Sequence, residues 1–369
     1  MPTALDMTPG AEFLATLRHC WESGEAVFVI DHRLGDDVQD QMIRGFGVTK
    51  IVSDSGVSHL SRSDTSELYE PGDALIMATS GTSGPPKGVV LTHDAIRASS
   101  RMTMDAIGRK QDDHWLCCIP PSHIGGFSVI ARAIHNDLAL TVLPGFEAAA
   151  VTDAARNGAN LVSLVNTALR RIDPSLFRKI LLGGSAPLED RPTNTIATYG
   201  MTETASGVVY DGTPLDGVDI RVDDDSQIWV RTPTLFRCYT DGTSPVTTDG
   251  WFPTGDAGAF SDNQLQVFGR LRDVVITGGE KVWPAEVEAA LCNHRGVTGA
   301  IVHGEPDPEW DERVIATIEV APGSTRPSEG ELSDLVKTRV ATYAAPKEYR
   351  FVERLPRTSS GKVLRPPAT

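Results

Sequence analysis

Short apolar segments rich in valine and isoleucine alternate with helix-length segments along the first half of the chain. These segments span residues 26–30, 74–78, 114–119, 139–143, 161–165 and 180–182. Strands that are buried on both faces have no polar side, so a continuous apolar run is typical of parallel sheet. The alternation of such strands with helices predicts an α/β layered architecture.

The pattern changes twice in the second half. From about residue 211, short segments punctuated by turn residues predict a smaller β-rich region. After residue 269 the order is strand (274–277), helix (284–293), two strands (300–303 and 314–320) and helix (328–341). We therefore predict a large N-terminal domain, residues 1–269, of layered α/β sheets plus a β-rich subdomain. A small α+β C-terminal domain, residues 270–369, follows it.

Composition and charge exclude several classes of protein. The 369 residues carry a formal net charge of -15. Nucleic-acid binders usually concentrate Lys and Arg on one face, so nucleic acid is not an expected partner. The five cysteines form no CxxC pair and no zinc spacing, and their odd number favours reduced thiols and a cytoplasmic location. A signal peptide and a membrane-spanning segment are not expected, because no basic region precedes an apolar run and no run reaches eighteen residues.

A glycine-rich loop is the most informative segment. The sequence TSGTSGPPKG, residues 79–88, follows an apolar strand and precedes a helix-like stretch. Glycines let backbone N–H groups approach phosphate oxygens, hydroxyls donate hydrogen bonds, and Lys87 adds a compact positive charge. Because Gly88 follows Lys87, the loop is not a Walker A motif, and no GxGxxG follows a strand. A polyphosphate cradle is therefore predicted, and a hydroxyl-rich surface loop is the alternative.

This loop resembles the phosphate-loop signature of the adenylate-forming superfamily, which contains acyl-CoA synthetases, luciferases and adenylation domains. Four further segments follow in the family's order, so the resemblance covers residues 74–365. It implies an AMP-forming acid–thiol ligase: ATP activates a carboxylic acid as an acyl-adenylate, and transfer to coenzyme A releases AMP. The implied ligands are ATP, Mg²⁺, coenzyme A and a small carboxylic acid.

The resemblance also implies roles for individual residues. Tyr199 would stack on adenine, Thr202 would contact phosphate, and Glu203 would hold Mg²⁺; singly, Glu203 would be a solvated surface carboxylate. Asp256 and Arg270 resemble the family's ribose-binding pair, with a turn-stabilising aspartate and a surface salt bridge as alternatives. The implied cofactor-binding residues are Thr79, Ser80, Gly81, Thr82, Ser83, Gly84, Gly184, Ser185, Ala186, Tyr199, Gly200, Asp256, Arg270, Gly278 and Gly279.

Near the chain end, PRTSSGK resembles the motif whose lysine reaches the active site from a rotating small domain. By this resemblance Lys362 is catalytic with Glu203, Thr202 and Lys87, and Asp273 occupies the hinge position. The backbone at Gly278 and Gly279 would pass close to the pantetheine arm. A solvated lysine and a tight Gly-Gly turn are the alternatives.

The acyl pocket is assigned by a narrower likeness. The stretch PPSHIGG, residues 120–126, is similar to that of 2-succinylbenzoate-CoA ligases of menaquinone biosynthesis. His123 and Arg132 would bind the acid, and Arg132 would meet a second, distal carboxylate, because a buried unpaired charge is costly. A structural histidine and an ordinary core-edge arginine are the alternatives.

Other readings stay open. The enzyme could be another aromatic or fatty acyl-CoA ligase, or a stand-alone enzyme that loads a carrier protein. A serine hydrolase is disfavoured because SSGK lacks its partner motifs, and a non-catalytic nucleotide-binding regulator should lack the charged residues that are present here. Longer family members have a larger region before the loop, so the first subdomain is expected to be shortened, and a homodimer is left open.

Overall fold

The structure is a computed structural model that describes residues 1–79, 87–184 and 190–357. In the first part of the chain the strands are β1 Pro2–Asp6, β2 Ala26–Val29, β3 Lys50–Ser53, β4 Gly56–His59, β5 Asp73–Thr79, β6 Lys87–Thr92, β7 His114–Cys117, β8 Ala139–Val142, β9 Leu161–Leu164, β10 Lys179–Leu182, β11 Thr195–Met201, β12 Ser206–Tyr210 and β13 Thr213–Pro214. Those that follow are β14 Asp219–Val222, β15 Gln227–Arg231, β16 Cys238–Tyr239, β17 Phe252–Ser261, β18 Gln264–Arg270, β19 Val275–Thr277, β20 Glu280–Val282, β21 Val297–Asp307, β22 Asp311–Val320 and β23 Glu348–Val352.

The helices are α1 Ala11–Glu22, α2 Asp36–Gly45, α3 His93–Ile107, α4 Ile124–Asn136, α5 Ala148–Arg156, α6 Asn166–Leu169, α7 Pro284–Cys292 and α8 Glu329–Arg339. No helix among the described residues combines the length and the apolar character that a membrane crossing needs.

The first of two compact units comprises Met1–Ile220 and Val230–Phe252. Its described residues form two seven-stranded sheets, with strand orders β16-β6-β5-β2-β1-β3-β4 and β13-β12-β11-β10-β9-β7-β8. Both sheets have parallel centres, through β3-β1-β2-β5 in one and β8-β7-β9-β10-β11 in the other. The carboxyl ends of β9, β10 and β11 therefore share one edge, where parallel sheets usually place their ligands.

The helices of this unit begin where the sequence satisfies their free backbone groups. The Thr92 hydroxyl accepts a hydrogen bond from Ala95 N at 3.1 Å and caps α3, and Gly108 ends this helix with a φ of 68°. Helix α4 starts after His123, and a side chain at Gly126 would collide with the carbonyl oxygens of Ile119 and Pro120. A glycine is thus required where α4 approaches the segment after β7.

An aromatic cluster joins α1, α3 and α4. Trp21 stacks on His135 with ring centroids 5.6 Å apart, and it meets the rings of His93 and Phe127 edge-on. The His135 Nε2 atom is buried and has no hydrogen-bond partner among the described residues. Burial, aided by the positive charges of Arg97, His93 and Arg18, lowers the pKa of His135 to about 4.

We expect this cluster to weaken the fold in acid. Between pH 6.5 and about 4 the unfolded chain binds a proton at this position that the folded chain does not, so stability falls as pH decreases through this window. For this partly exposed group we expect a loss of about 2 kcal/mol. His135→Phe keeps the stack and removes the titration, so urea unfolding at pH 7.5 and 4.5 should show a smaller loss than in the wild type. An equal loss in both proteins would contradict this assignment.

The second unit comprises Arg221–Trp229 and the described residues from Pro253 onward. It contains β18, β17 from Pro253 onward and the residues of β14 and β15 that lie within Arg221–Trp229, and these strands form a sheet in the order β14-β15-β17-β18. It also contains a five-stranded sheet in which β20, β19, β22 and β21 follow one another and β23 pairs with β22. Pro284 opens α7 at the first helical position, as expected, and a capping box of Ser328 and Glu331 opens α8. The boundary between residues 269 and 270, and the mobility of the C-terminal domain that follows it, stay predictions.

The core of the second unit lies between its helices and the five-stranded sheet. Fully buried side chains of α7 and α8 pack with those of β21 and β22 in a single cluster, which includes Val287, Leu291, Leu332, Val336, Val302, Ala316 and Ile318. The predicted fold class, a large α/β part and a small α+β part, is confirmed.

The five cysteines form no disulfide bond. Cys20, Cys117, Cys118 and Cys238 are buried, and Cys292 on α7 is partly buried. Burial raises the pKa of Cys20 to about 11 and that of Cys118 to about 12. Because the thiolate is the reactive form, these thiols are unsuited to act as nucleophiles at neutral pH.

Candidate active site

The glycine-rich loop leaves the sheet between two paired strands. Thr79 at the end of β5 lies opposite Lys87 at the start of β6, and the Thr79 hydroxyl donates to the Lys87 carbonyl oxygen at 3.2 Å. The two ends of the loop are therefore held together by antiparallel pairing. Ser80, Gly81, Thr82, Ser83 and Gly84 lie outside the described residues.

The side chain of Lys87 is about half exposed and lies beside the short strand β16. Its Nζ atom is 3.3 Å from Asp241 Oδ2 and 5.2 Å from the centre of the Tyr239 ring. Gly88 allows this approach, since a Cβ there would lie 2.5 Å from Thr240 Cγ2. The Gly88 N–H donates to the Thr240 hydroxyl at 3.1 Å, and the Thr240 N–H donates to the Gly88 carbonyl oxygen at 2.8 Å.

Glu203 lies in a single helical turn, Thr202–Thr204, directly after β11. The Glu203 carbonyl oxygen accepts a hydrogen bond from Phe236 N at 2.8 Å, and its Oε1 atom accepts one from the Tyr239 hydroxyl at 3.1 Å. Tyr239 thus contacts both Lys87 and Glu203. The predicted phosphate lysine contacts the ring of this tyrosine, and the predicted metal ligand contacts its hydroxyl.

Two elements of the predicted adenine pocket lie at the shared carboxyl edge of β10 and β11. Gly184 follows β10 with a φ of 83°, a backbone conformation that favours glycine. On β11 the pairing register shifts between Tyr199 and Gly200, and a side chain at Gly200 would collide with the Ser206 carbonyl oxygen. Ser185 and Ala186 lie outside the described residues.

Arg132 is a buried cation on α4, with a relative exposure of 3%. Its guanidinium donates to the hydroxyls of Ser206, at 2.5 Å, and Ser163, at 3.3 Å, and lies 5.2 Å from the centre of the Trp115 ring. Within the described ranges Nε has no hydrogen-bond partner and no carboxylate forms an ion pair with this side chain. Burial lowers the pKa of Arg132, because the charged form is poorly solvated.

His123, at the start of α4, contacts a charged pair that follows β2. Arg33 binds Asp31 through two hydrogen bonds of 2.7 Å, and His123 Nε2 lies 2.5 Å from an Arg33 nitrogen and 3.3 Å from Asp31 Oδ2. Burial opposes ionisation of Asp31, but hydrogen bonds with His123 and Arg33 outweigh it and hold the pKa of Asp31 far below its usual range. His123 therefore has a fixed anchor.

In the second unit, Asp256 and Arg270 are direct cross-strand neighbours on β17 and β18. Arg270 Nε lies 3.0 Å from Asp256 Oδ1, and another guanidinium nitrogen donates to the Thr254 carbonyl oxygen at 3.2 Å. Asp256 is nearly buried, and its backbone N–H donates to the Thr254 hydroxyl. The predicted ribose pair is thus adjacent and fixed in orientation.

Gly278 and Gly279 form the two-residue turn between β19 and β20. Their φ values of 57° and 81° fit a turn that requires positive φ at both positions. Gly278 also donates to the Trp310 carbonyl oxygen at 2.8 Å, and a Cβ there would lie 2.8 Å from the Trp310 ring. Both the turn and this contact favour glycine, and an approach of coenzyme A stays a prediction. Lys362 lies outside the described residues.

Comparison with known families agrees with this geometry. Residues 14–240 match the AMP-binding enzyme family, and residues 286–362 match the C-terminal domain of AMP-binding enzymes. The chain belongs to the AMP-binding enzyme family. The family resemblance predicted from the sequence is confirmed.

Several relatives within the AMP-binding enzyme family carry one activity in their names. A probable 2-succinylbenzoate–CoA ligase of Mycobacterium tuberculosis (strain CDC 1551 / Oshkosh) is 36% identical over 318 residues, which cover 79% of this chain and 82% of that protein. A 2-succinylbenzoate–CoA ligase of Listeria monocytogenes serotype 4b is 32% identical, with 84% and 74% covered.

Solved structures of an AMP-binding enzyme also match this chain. The o-succinylbenzoate CoA synthetase of Bacillus subtilis, in complex with its acyl-adenylate intermediate, superposes with a TM-score of 0.86 and 26% identity, covering 99% of this chain and 87% of that one. The same enzyme in complex with ATP and a magnesium ion has a TM-score of 0.85 and 25% identity, with 99% and 88% covered.

Sequence reasoning missed four polar residues of this AMP-binding enzyme. Asp31 and Arg33 approach His123, and Tyr239 and Asp241 approach Lys87. A signal existed only for the first pair, since polar residues that directly follow a buried strand often lie at a ligand site. Tyr239 lies in the two-residue strand β16, and Asp241 follows it; this strand is too short to show a periodic pattern.

Proposed function

We propose that this chain uses ATP to activate a carboxylic acid as an acyl-adenylate and then transfers the acyl group to coenzyme A, with AMP and pyrophosphate as products. We further propose 2-succinylbenzoate as the acid. The observation that carries the proposal is the contact of one tyrosine with both Lys87 and Glu203, at the exit of the glycine-rich loop. The activity in the names of the relatives supports the same reaction.

The reaction requires two anions to meet, because the substrate carboxylate itself attacks the α-phosphorus. The protein's task is therefore to hold both reactants in line and to neutralise the charge that develops on the phosphate. Lys87 provides a cation at the phosphate loop, and Lys362 is proposed to provide another from the chain end. A protein nucleophile is not needed, which agrees with the protonated state of the buried thiols.

The described residues fit a magnesium ion that travels with the nucleotide. Among them, no group of three or more His, Cys, Asp or Glu side chains could hold a metal. Mg²⁺ at such sites usually takes one or two carboxylates together with substrate phosphates, and the Glu203 carboxylate suits that role. When bound, the ion would neutralise phosphate charge, while Thr202 offers a hydroxyl and Tyr199 a flat face for adenine.

Arg132 supports a substrate with two carboxylates. A buried guanidinium with only hydroxyl and aromatic partners lacks a compensating anion among the described residues. 2-Succinylbenzoate carries one carboxylate for activation and a second, distal carboxylate. The distal carboxylate would be the compensating anion for Arg132. We propose that Arg132 binds this distal group and that His123, anchored by Asp31 and Arg33, borders the acyl pocket.

An ATP–pyrophosphate exchange screen tests this function. We expect exchange with 2-succinylbenzoate to exceed that with benzoate, a dicarboxylic aliphatic acid and a fatty acid. Strong exchange with a monocarboxylate and none with 2-succinylbenzoate would overturn the substrate, and no exchange with any acid would overturn the reaction. Product analysis with and without coenzyme A separates a CoA ligase from an enzyme that loads a carrier protein.

The ribose pair yields a separate prediction. Asp256→Asn should raise the Kd for AMP about tenfold, because a carboxylate hydrogen bond to the ribose contributes about 1.5 to 3 kcal/mol and the amide is a weaker acceptor. Calorimetric titration with AMP measures this effect. Asp262→Asn, in the β17–β18 turn at a φ of 52° that asparagine also tolerates, is the control and should bind AMP as the wild type does. Equal affinity in all three proteins would contradict the ribose assignment.

The location and assembly of the protein are proposed from the sequence alone. The odd number of cysteines and the absence of a CxxC pair suit reduced thiols and a cytoplasmic enzyme. A homodimer stays an expectation from the family resemblance, and sedimentation at several protein concentrations would test it.

A further inference from the structure

Strand β16 brings two side chains to the phosphate lysine. It pairs antiparallel with β6, with Tyr239 opposite Val89, so the segment that follows runs past Lys87. Asp241 is held in a local turn, where its Oδ1 atom accepts hydrogen bonds from the Thr243 N–H, at 3.0 Å, and the Thr243 hydroxyl. Its other oxygen, Oδ2, is then directed to Lys87 Nζ.

We propose that Asp241 competes with the ATP triphosphate for Lys87, and that Tyr239 is a positioning residue that aligns Lys87 and Glu203 for the magnesium-bound nucleotide. This inference rests on the proposed function and adds two residues to its site. Neither is part of the glycine-rich loop or of the segments on which the family resemblance was based.

The exposure of the Lys87–Asp241 ion pair determines how easily a phosphate group can replace Asp241. The side chains of Lys87 and Asp241 are 57% and 47% exposed, and a pair between solvated groups contributes little to stability. A polyphosphate offers Lys87 several charged oxygens and can therefore displace one carboxylate. Until then the ion pair with Asp241 restrains the Lys87 side chain, and Asp241 opposes the incoming phosphates by its own negative charge.

Tyr239 acts through two different parts of its side chain. The ring face lies under Lys87 Nζ, a cation–π contact that remains available when Asp241 is displaced. The hydroxyl donates to Glu203 Oε1 and so restricts the rotation of that carboxylate. Loss of the hydroxyl should therefore affect the magnesium-dependent part of ATP binding, whereas loss of the Asp241 charge should affect the triphosphate directly.

The first test is calorimetric titration of ATP without magnesium and without an acid substrate. Asp241→Asn keeps an oxygen for the Thr243 turn and removes the charge, so ATP should bind about threefold to fivefold more tightly than to the wild type. The difference should shrink in 0.5 M salt, because exposed charges are screened. A folding defect would weaken binding, so the direction of the change is diagnostic.

Asp219→Asn is the matched control. Asp219 forms an ion pair of similar exposure with Arg231 in the same unit, and its replacement changes the net charge equally. This variant should bind ATP as the wild type does. Unchanged or weaker ATP binding by Asp241→Asn at low salt, or an equal gain in Asp219→Asn, overturns the role of Asp241.

The second test compares ATP affinity with and without magnesium. In Tyr239→Phe the gain in affinity on adding magnesium should fall about fivefold, while the magnesium-free Kd and the KM for the acid stay unchanged. Tyr69→Phe, which removes a hydroxyl bound to the Phe46 carbonyl oxygen, is the control and should keep the full magnesium gain. An equal gain in Tyr239→Phe and the wild type overturns the role of Tyr239.

These outcomes distinguish a failure of the roles proposed for Asp241 and Tyr239 from a failure of the proposed ligase function. If the wild type binds ATP with a magnesium gain and the two variants behave like it, only the inference fails. If the wild type binds no ATP under either condition, the proposed function fails and takes the inference with it.

Discussion

Arg132→Met is expected to lower kcat/KM for 2-succinylbenzoate by at least about 10²-fold while leaving the fold as stable as before or more so. Truncating one partner of a buried charge pair costs about 2 to 5 kcal/mol in binding, and the distal carboxylate would lose its only proposed cation. Stability should not suffer, because Arg132 is buried without a carboxylate partner among the described residues. Replacing an uncompensated buried charge by an apolar chain of similar length relieves a desolvation cost.

Steady-state kinetics and urea unfolding of the same preparation test both halves of this prediction. Activity with a benzoate analogue that lacks the distal carboxylate should be affected far less, because Arg132 has no group to bind there. Arg178→Met is the contrasting control: it leaves Asp113 buried and unpaired, so we expect a loss of about 3 kcal/mol in stability and no change in substrate preference. A loss with both substrates alike, or a destabilised Arg132→Met, would assign Arg132 to the fold instead.

Lys362→Ala is expected to slow adenylate formation by about 10³-fold and to spare the transfer of a preformed acyl-adenylate to coenzyme A. Removing a group that meets charge developing in the transition state typically costs about 3 to 4 kcal/mol. The family resemblance assigns this lysine to the first half-reaction alone, since rotation of the C-terminal domain would withdraw it before thiolysis. The decisive quantity is therefore the loss in the rate of adenylate formation compared with the loss in the rate of transfer to coenzyme A.

Rapid-quench measurement of each half-reaction tests this split. Lys337→Ala removes a surface lysine of the second unit that pairs with Asp334 one helical turn away, and it should leave both rates unchanged. A comparable loss in both half-reactions for Lys362→Ala would show that the lysine supports binding or folding and not adenylation.

Buried strands were predicted within two residues at each end because their pattern depends on local sequence alone. The segment 161–165 became Leu161–Leu164, and the segment 180–182 became Lys179–Leu182. Strand β1, PTALD, was missed because its apolar run is only two residues long, although four of its five residues are buried. Strands β21 and β22 extend beyond the predicted 300–303 and 314–320, because residues 304–307 and 311–313, which pair with each other across the hairpin, contain no apolar run.

The site was predictable where its residues lie in contiguous segments or at opposite positions of one hairpin. Asp256 and Arg270 are separated by a single turn, so their pairing follows from the local fold. Asp241 is far from Lys87 in sequence, and the two meet only because β16 returns to the edge of the first sheet. The spacing of apolar residues along the sequence does not indicate which distant segment will pair with a given sheet edge. The meeting of Asp31 with His123 likewise depends on two strands of different sheets.

The distribution of the five thiols has a practical consequence for testing the proposed motion of the C-terminal part. Four are enclosed and strongly protonated, whereas Cys292 on α7 is partly accessible. A maleimide dye should thus react first with the native chain at that one position, without prior removal of other cysteines. Fluorescence anisotropy or energy transfer from this dye could report, in the unmodified sequence, how the second unit responds to nucleotide and acid.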